Sequence, residues 1–351
     1  MTMTDPYIKL LVTLSPSMPH FHRFSTDKRI DGIRINSAMM ELDELDNEFK
    51  AVASSNHTVP LWYDIKGRQL RIREVHPNGD HVELVMNHRI EVQTPTVVLF
   101  KGGEDSAILE GFREKDGRQQ LVFKPGAPKF NLKSGESICI RDKSFRIKGS
   151  TFPDYEIEKI KRVVKSGLFA KYVLSYVESN QDIEQFRQFV GPDAEIMAKI
   201  ENPRGLNYVM QEFKPEPNLS LMAARGDLYI EVQRPHDILA AQRVIIRADP
   251  HACVGSRILL SCVNKAVPDA VDFSELAWLY DIGYRSMMLC DDLCIKEDRL
   301  SRAVNAFHEF RSIYAKVTER ITRGTPPPTL ELRKVGIRNK FTAAMAALVG
   351  K

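Results

Sequence analysis

Eight short apolar segments alternate with amphipathic segments along most of the chain, and this alternation constrains the fold more than any other feature. Most of these segments are apolar on both faces, as is typical of parallel strands covered by helices. Such an alternation favours a closed (β/α)8 TIM barrel over an open sheet. We predict strands at Ile8–Thr13, Gly32–Asn36, Val59–Asp64, Ala170–Val177, Glu195–Glu201, Ser220–Ala224, Ala252–Ser256 and Tyr284–Leu289.

The segments between these strands have the apolar spacing of helices that lie on a core with one face. One such segment follows the second predicted strand. The others lie before the fourth predicted strand and after each of the last five predicted strands. We predict helices at Glu41–Ala53, Tyr155–Ser166, Gln181–Val190, Pro203–Glu212, His236–Arg247, Phe273–Ile282 and Glu297–Val317.

The stretch 72–149 interrupts this alternation. It has strand-like patterns at His81–Met86, Ile90–Phe100 and Leu121–Phe123, separated by turn signals such as Asp116-Gly117. We interpret it as a small β domain inserted after the third barrel strand. The barrel itself is then formed by 1–71 and 150–321, and 322–351 is a Pro-rich linker with a short basic helix.

The composition is that of a soluble globular protein, with 43% hydrophobic and 27% charged residues among 351. A net charge of +4 gives no argument for nucleic acid or a membrane surface as a partner. No apolar run approaches the ~20 residues that a spanning helix needs. The N-terminus has no secretory signal pattern, and five cysteines without a paired framework indicate a reducing, cytoplasmic location.

Acidic and basic side chains are concentrated where the predicted strands end, and the active sites of such barrels lie at the carboxyl ends of the strands. Lys199 and Glu201 are two residues apart on one strand and therefore share a face. Burying this pair unaided is unfavourable, and a divalent cation held by Glu201 and Asp227 resolves the problem. An ordinary salt-bridge network at the barrel rim is the alternative.

Two arginines and a turn of small residues complete this candidate site. Arg34 and Arg71 are suited to a bidentate grip on phosphate or carboxylate. The turn 223–226 could lead into a one-turn helix whose backbone N–H groups bind a carboxylate. The sequence contains neither a GxxxxGK[ST] nor a GxGxxG nucleotide-binding motif.

Several of these segments resemble pyruvate kinase, in order, from about residue 8 to 316. The most specific are Lys199-Ile-Glu201-Asn202-Pro-Arg-Gly205 and Met222-Ala-Ala-Arg225-Gly226-Asp227-Leu-Tyr-Ile-Glu231. Gly32-Ile-Arg34-Ile-Asn36 is similar to the second strand of the family, and Asp64-Ile-Lys66-Gly67-Arg-Gln-Leu-Arg71 to the segment that enters its inserted domain.

The resemblance implies roles for these residues. Lys199 would stabilise the enolate of pyruvate, and Glu201 and Asp227 would hold Mg2+ or Mn2+. Arg34 would contact the transferred phosphoryl group, and Ser256 stands in place of a family threonine. The carboxylate of phosphoenolpyruvate would be lined by Ala224, Arg225, Gly226 and Asp227. Asn36 and Asp64 match two ligands of the family's K+ site.

The departures from the family pattern lie on one side of the site. A Ser-His-Gly run that serves K+ and nucleotide is replaced by Ala38-Met39-Met40, and a Ser-Gly-Glu by Cys290-Asp291-Asp292. A family threonine is Ile65 and a family glutamate is Gln69. The family's C-terminal regulatory domain is also missing from the sequence. The metal, enolate and carboxylate side is therefore kept, and the side for K+, nucleotide and regulation is changed.

Three functions are compatible with these residues. The first is a pyruvate-kinase-like phosphotransferase that acts on phosphoenolpyruvate or pyruvate with a divalent metal and uses ADP or ATP. The second is a metal-dependent lyase or aldolase-type enzyme on another 2-oxo acid, and the third a non-catalytic relative. Because the family's regulatory domain contributes to tetramer contacts, we expect a homodimer or a monomer.

Overall fold

Eight parallel strands close into a barrel in the computed structural model, which describes residues 7–37, 42–78, 81–126 and 131–322. The spatial order is the chain order, and the last strand pairs with the first. The predicted TIM barrel is confirmed, with each predicted strand present. The barrel strands are β1 (Lys9–Thr13), β2 (Gly32–Asn36), β3 (Leu61–Ile65), β12 (Lys171–Leu174), β13 (Glu195–Ile200), β14 (Leu219–Ala224), β15 (Cys253–Gly255) and β16 (Ser286–Met288).

The helices lie between the strands at the predicted places, with ends shifted by up to five residues. Two short helices, Phe21–Phe24 and Asp291–Cys294, were not among the predicted segments. The short helix that the turn 223–226 was expected to lead into is present at Arg225–Glu231. The helices are α1 (Phe21–Phe24), α2 (Leu45–Ser54), α3 (Asp154–Ser166), α4 (Asn180–Val190), α5 (Pro203–Gln211), α6 (Arg225–Glu231), α7 (Asp237–Ala248), α8 (Ala270–Asp281), α9 (Asp291–Cys294) and α10 (Glu297–Thr322).

The barrel interior is filled by side chains from alternate positions of the strands, such as Trp62, Met197 and Met222. Since side chains alternate between the two faces of a strand, the residue two positions later points the same way, one layer higher. Met197 is therefore followed by Lys199, and Trp62 by Asp64. This period brings the charged residues to the carboxyl end of a closed apolar core.

One glycine allows helix α5 to pack tightly on the barrel. A Cβ atom on Gly205 would stand 2.8 Å from the carbonyl oxygen of Val177. Alanine normally stabilises a helix relative to glycine by up to ~1 kcal/mol. Here we expect Gly205→Ala to lower the free energy of unfolding by about 1–3 kcal/mol, because the backbone must move.

Urea denaturation measures this effect, and Gly111→Ala is the control because a Cβ there meets nothing within 4 Å. If Gly205→Ala were neutral or stabilising, the close approach between α5 and Val177 would not limit packing.

The predicted β insertion between β3 and α3 is confirmed. Six of its strands form an antiparallel sheet in the order β10-β7-β8-β9-β5-β4, and β11 pairs with β6. Its own apolar core includes Leu84, Phe100, Leu121 and Phe123. The strands are β4 (Ile72–Asn78), β5 (His81–Met86), β6 (Arg89–Glu91), β7 (Thr96–Phe100), β8 (Asp105–Lys115), β9 (Arg118–Phe123), β10 (Ile138–Ile140) and β11 (Arg146–Lys148). The boundaries 72 and 149 for the inserted domain stay a prediction.

Two side chains after β5 hold the segment through which the chain enters the insertion. Asn87 accepts from the backbone N–H of Arg71 at 2.8 Å and donates to the carbonyl of Gln69 at 2.9 Å. The His88 Nε2 lies 3.1 Å from the carbonyl oxygen of Gly67. Burial lowers the pKa of His88 to about 4, so the ring is neutral and donates this bond near neutral pH.

The chain from Glu309 onward forms a second compact unit. Its described part is the C-terminal portion of α10, where Phe310 stacks on Tyr314 with 4.9 Å between ring centroids. The predicted linker after Thr322 and the predicted C-terminal helix lie outside the described residues. Among the residues that the structure describes, no helix is both long and apolar enough to cross a membrane.

Candidate active site

A cavity of about 250 Å3 opens at the carboxyl ends of the barrel strands. Every residue predicted for the site lines it except Arg225 and Asp64. The predicted residues that do so are Arg34, Asn36, Arg71, Lys199, Glu201, Ala224, Gly226, Asp227 and Ser256. The sequence had therefore indicated most of a single cavity from residues that are far apart in the chain.

Asp64 lies beneath the cavity and organises its cationic side chains. Its Oδ2 accepts from Arg34 Nε at 2.6 Å and lies 3.0 Å from Lys66 Nζ and 3.9 Å from Lys199 Nζ. Its Oδ1 accepts from the Ser175 hydroxyl at 3.2 Å. Burial opposes ionisation, but Lys199, Lys66 and Arg34 outweigh it and hold the pKa of Asp64 well below its usual value.

Lys199 connects this network to Glu201. Its Nζ lies 2.8 Å from Glu201 Oε1 and donates to the Ser175 hydroxyl at 3.1 Å. The other oxygen of Glu201 accepts from the backbone N–H of Tyr176 at 2.7 Å. Tyr176 has a φ of 53°, an uncommon backbone conformation for a non-glycine residue. This strained residue thus supplies one of the bonds that orient Glu201.

Burial raises the pKa of Glu201 to about 7; Lys199 opposes the shift and the nearby carboxylate of Asp227 adds to it. The positive charge of Lys199 therefore does not fully compensate the two carboxylates of Glu201 and Asp227.

The inserted domain borders the cavity from above. Gln69 donates from Nε2 to Asp227 Oδ2 at 3.3 Å and accepts from Arg71 Nη2 at 2.7 Å. Arg71 also donates to the backbone carbonyl of Gly135, and Ser137 lines the cavity. Asp227 is thereby linked to the insertion through side chains of the connecting segment.

The structure differs from the sequence expectation at Arg225. Its Nε donates to the carbonyl oxygen of Ser256 at 3.0 Å, and its Nη1 to Glu275 Oε1 of α8 at 2.6 Å. The guanidinium therefore anchors the turn after β15 and does not line the cavity. Ser256 has a φ of 69°, and a Cβ on Gly226 would stand 3.4 Å from its hydroxyl oxygen. Arg225 supports the Ser256 side of the cavity from behind.

Asp291 is a residue of this site to which the sequence analysis gave no role. It begins α9, three residues after the end of β16, and its Oδ2 lies 3.2 Å from Arg34 Nη1. Its Oδ1 accepts from Asn36 Nδ2 at 3.1 Å. The available signal was its position at the end of the last strand. Its pairing with Arg34, 257 positions away, could not be read from the sequence.

The donor set fits a divalent cation that is only partly coordinated by protein. Glu201 and Asp227 both line the cavity, and the described residues contain no group of three or more His, Cys, Asp or Glu side chains arranged to hold a metal. Mg2+ commonly uses one or two carboxylates and takes its other oxygens from substrate and water. Two acidic side chains at an open cavity match that pattern.

The predicted monovalent-cation site at Asn36 and Asp64 stays a prediction. Both oxygens of Asp64 already accept from protein donors, and the amide nitrogen of Asn36 is directed at Asp291. Residues 38–41, which follow Asn36, lie outside the described residues. In this arrangement Arg34 and Lys66 already compensate the negative charge of Asp64, the carboxylate that K+ would bind.

Comparisons with known proteins agree with this geometry. A model of the pyruvate kinase barrel domain matches residues 131–262. A pyruvate kinase from Thermoplasma acidophilum is 26% identical over 303 residues, which cover 82% of this chain and 54% of that protein. A pyruvate kinase from Methylorubrum extorquens is 23% identical over 311 residues, 80% of this chain and 63% of that protein. These matches support a divergent relative of the pyruvate kinase family, with the family model covering the part of the chain from residue 131 to 262.

The crystal structure of pyruvate kinase from Pyrobaculum aerophilum superposes with a TM-score of 0.65 and 17% identity, covering 88% of this chain and 74% of that one. At this identity the likeness supports the fold alone. The chain spans about half the length of the Thermoplasma relative, at 54%.

Proposed function

We propose that this chain is a pyruvate-kinase-like phosphotransferase that acts on phosphoenolpyruvate or pyruvate with a divalent metal. One observation carries the proposal. The Lys199 ammonium group lies 2.8 Å from Glu201, and Lys199, Glu201 and Asp227 line one cavity at the carboxyl end of the barrel. A buried cation beside two carboxylates suits a reaction in which negative charge develops on a substrate oxygen.

The residues would act as follows. Mg2+ or Mn2+, held by Glu201 and Asp227, would supply Lewis-acid stabilisation of substrate oxygens. Lys199 would stabilise the enolate oxygen, and Arg34 the phosphoryl group. The P–O bond of phosphoenolpyruvate breaks, the phosphoryl group passes to the terminal phosphate of ADP, and the enolate gains a proton at its methylene carbon.

The structure gives more support to phosphoenolpyruvate or pyruvate as a ligand than to ADP or ATP. A cavity of about 250 Å3 suits a three-carbon acid and its phosphate better than a nucleotide. ADP or ATP would have to lie outside it, and the family's nucleotide-side residues correspond to 38–40, outside the described residues. Nucleotide use is therefore the part of the proposal that an activity assay must decide.

We expect Glu201→Gln to weaken Mn2+ binding in the presence of oxalate by about a hundredfold or more, because one of two protein ligands loses its charge. Oxalate is the probe because it imitates the enolate of pyruvate. Electron paramagnetic resonance of free Mn2+ measures the dissociation constant, together with pyruvate formation from phosphoenolpyruvate and ADP.

Glu195→Gln is the matched control, since Glu195 lies at the opposite end of the same strand and its side chain is 42% exposed. Unchanged Mn2+ affinity in Glu201→Gln would exclude this carboxylate as a ligand.

One observation favours a second candidate, a metal-dependent lyase or aldolase-type reaction on a 2-oxo acid. Asp291 is paired with Arg34, the residue expected to bind the phosphoryl group. A reaction through the same enolate without phosphoryl transfer would not need Arg34 to be available. Metal-dependent exchange of the pyruvate methyl protons with D2O, without pyruvate formation from phosphoenolpyruvate and any nucleoside diphosphate, would select this candidate.

A further inference from the structure

We propose that Asp291 is a specificity-determining residue that occupies Arg34 and makes the cavity prefer unphosphorylated 2-oxo acids to their enol phosphates. This inference rests on the proposed function, because it takes the cavity as the site of the oxo acid. The inference goes beyond the proposed function because it names the form of the substrate that the site binds, and the residue that selects that form.

The hydrogen bonds of Arg34 leave little of its guanidinium for a ligand. A guanidinium has five N–H groups. Arg34 donates from Nε at 2.6 Å to Asp64, which also lies 2.5 Å from Nη2. Its Nη1 donates to Thr13 Oγ1 and to Asp291 Oδ2, each at 3.2 Å. Three hydrogen bonds and the ion pair at Nη2 thus occupy all three nitrogens of the guanidinium, so a phosphoryl group gains a bidentate grip by displacing one of these partners.

Asp291 is the partner that can be displaced. The side chain of Asp64 is 0% exposed beneath the cavity, whereas that of Asp291 is 35% exposed and lines it. Asp291 is also held less tightly, at 3.2 Å from Arg34 and 3.1 Å from Asn36. Asp64 therefore has a structural role, and Asp291 acts as a resident anion where the phosphoryl group would bind.

The charge of Asp291 acts in the same direction as its position. Burial opposes its ionisation, but Arg34, the Asn36 amide and Lys66 outweigh burial and lower the pKa of Asp291. It is therefore a carboxylate at neutral pH. A phosphoryl group that approaches Arg34 meets this like charge, and like charges that share one guanidinium repel.

The opposite end of the cavity is unaffected. The turn at Gly226 and Ser256 and the pair Glu201 and Asp227 are held by their own partners, and the hydrogen bonds recorded for Asp291 reach none of them. A small oxo acid that contacts only the residues of this end of the cavity binds without displacing Asp291 from Arg34. Asp291 therefore weakens the binding of ligands that carry a phosphoryl group and leaves the binding of the oxo acid unchanged.

The test compares oxalate and phosphoenolpyruvate as ligands of the Mn2+-loaded full chain by isothermal titration calorimetry. In Asp291→Ser we expect phosphoenolpyruvate to bind at least tenfold more tightly and oxalate to change less than about twofold. Asp291→Asn, which keeps the shape and removes the charge, should shift the ratio of the two affinities in the same direction. Asp292→Asn is the control for a neighbouring charge and should leave the ratio unchanged.

The outcomes separate the two proposals. If wild type and both Asp291 variants bind oxalate but the ratio does not change, the role of Asp291 is overturned and the proposed oxo-acid site stands. If wild type binds no oxalate with Mn2+, the proposed function fails, and the inference fails with it. Because Asp291→Asn is nearly isosteric, it keeps the test decisive should Asp291→Ser fold poorly in a thermal melt.

Discussion

Lys199→Met is expected to slow metal-dependent exchange of the pyruvate methyl protons with D2O by about a thousandfold. The Lys199 ammonium group is fixed by Glu201 at 2.8 Å and Ser175 at 3.1 Å, so its charge is in place before the enolate forms. Methionine has a similar length and no charge. Proton NMR with Mg2+ follows the exchange directly and needs no nucleotide.

Lys171→Met is the matched control. Lys171 begins a neighbouring barrel strand at the opposite end, pairs with Glu195, and its side chain is 32% exposed. We expect that variant to exchange at the wild-type rate. The Mn2+ affinity of Lys199→Met should stay within a few-fold of wild type, because Glu201 and Asp227, the proposed ligands, both remain. Exchange at the wild-type rate in Lys199→Met would refute the enolate role of Lys199.

The carboxyl-end residues of the barrel were predictable because two simple rules determine them. The period of two along β13 places Lys199 and Glu201 on one face, and parallel strands bring their carboxyl ends to one rim. Asp227 lies in α6, three residues after the end of β14, and reaches the same rim because the strand before it ends there. Predicting that Lys199, Glu201 and Asp227 meet at one rim therefore needed no knowledge of long-range contacts beyond the closure of the barrel.

Residues whose role depends on a distant partner were missed. Ser175 and the backbone of Tyr176 orient Lys199 and Glu201, yet neither stands in a recognisable motif. The contact of Gln69 with Asp227 spans 158 positions and depends on how the insertion is connected to the barrel. Such contacts are set by packing, which local patterns in the sequence do not report.

The insertion shows the same limit for secondary structure. Strand β8 is its longest, yet its outer half, from Glu110 to Lys115, is mostly polar and exposed, so no buried pattern marked it. The segment Ile90–Phe100, predicted as one strand pattern, divides into β6 and β7 around Pro95. The pairing of β5 with β9 joins strands separated by three others in the chain, which turn signals alone cannot specify.

The buried charge network under the cavity has the largest expected effect on stability. We expect Asp64→Asn to lower the free energy of unfolding by about 3–5 kcal/mol, the usual consequence of removing one partner from a buried ion pair. Asparagine keeps the shape of the side chain but leaves Arg34, Lys66 and Lys199 facing one another with less compensation. Urea denaturation at pH 7 measures the change.

The pKa shifts of this network explain why a substitution, rather than acid, is the suitable perturbation. The pKa of Asp64 is held so low by the surrounding cations that the carboxylate stays ionised through the mildly acidic range. Burial lowers the pKa of Lys66 to about 7; Asp64 opposes the shift, and Lys199 and Arg34 add to it. Removing the charge of Asp64 takes away this opposition and lowers the pKa of Lys66 further.

Asp64→Asn combined with Lys66→Met should therefore recover part of the lost stability, since one uncompensated cation is removed with the carboxylate. Asp298→Asn, which breaks an exposed pair with Arg302, is the surface control and should leave the urea midpoint unchanged. A midpoint for Asp64→Asn equal to that of wild type would mean that Asp64 does not compensate these cations. The arrangement of Arg34 and Lys199 in the cavity would then need another cause.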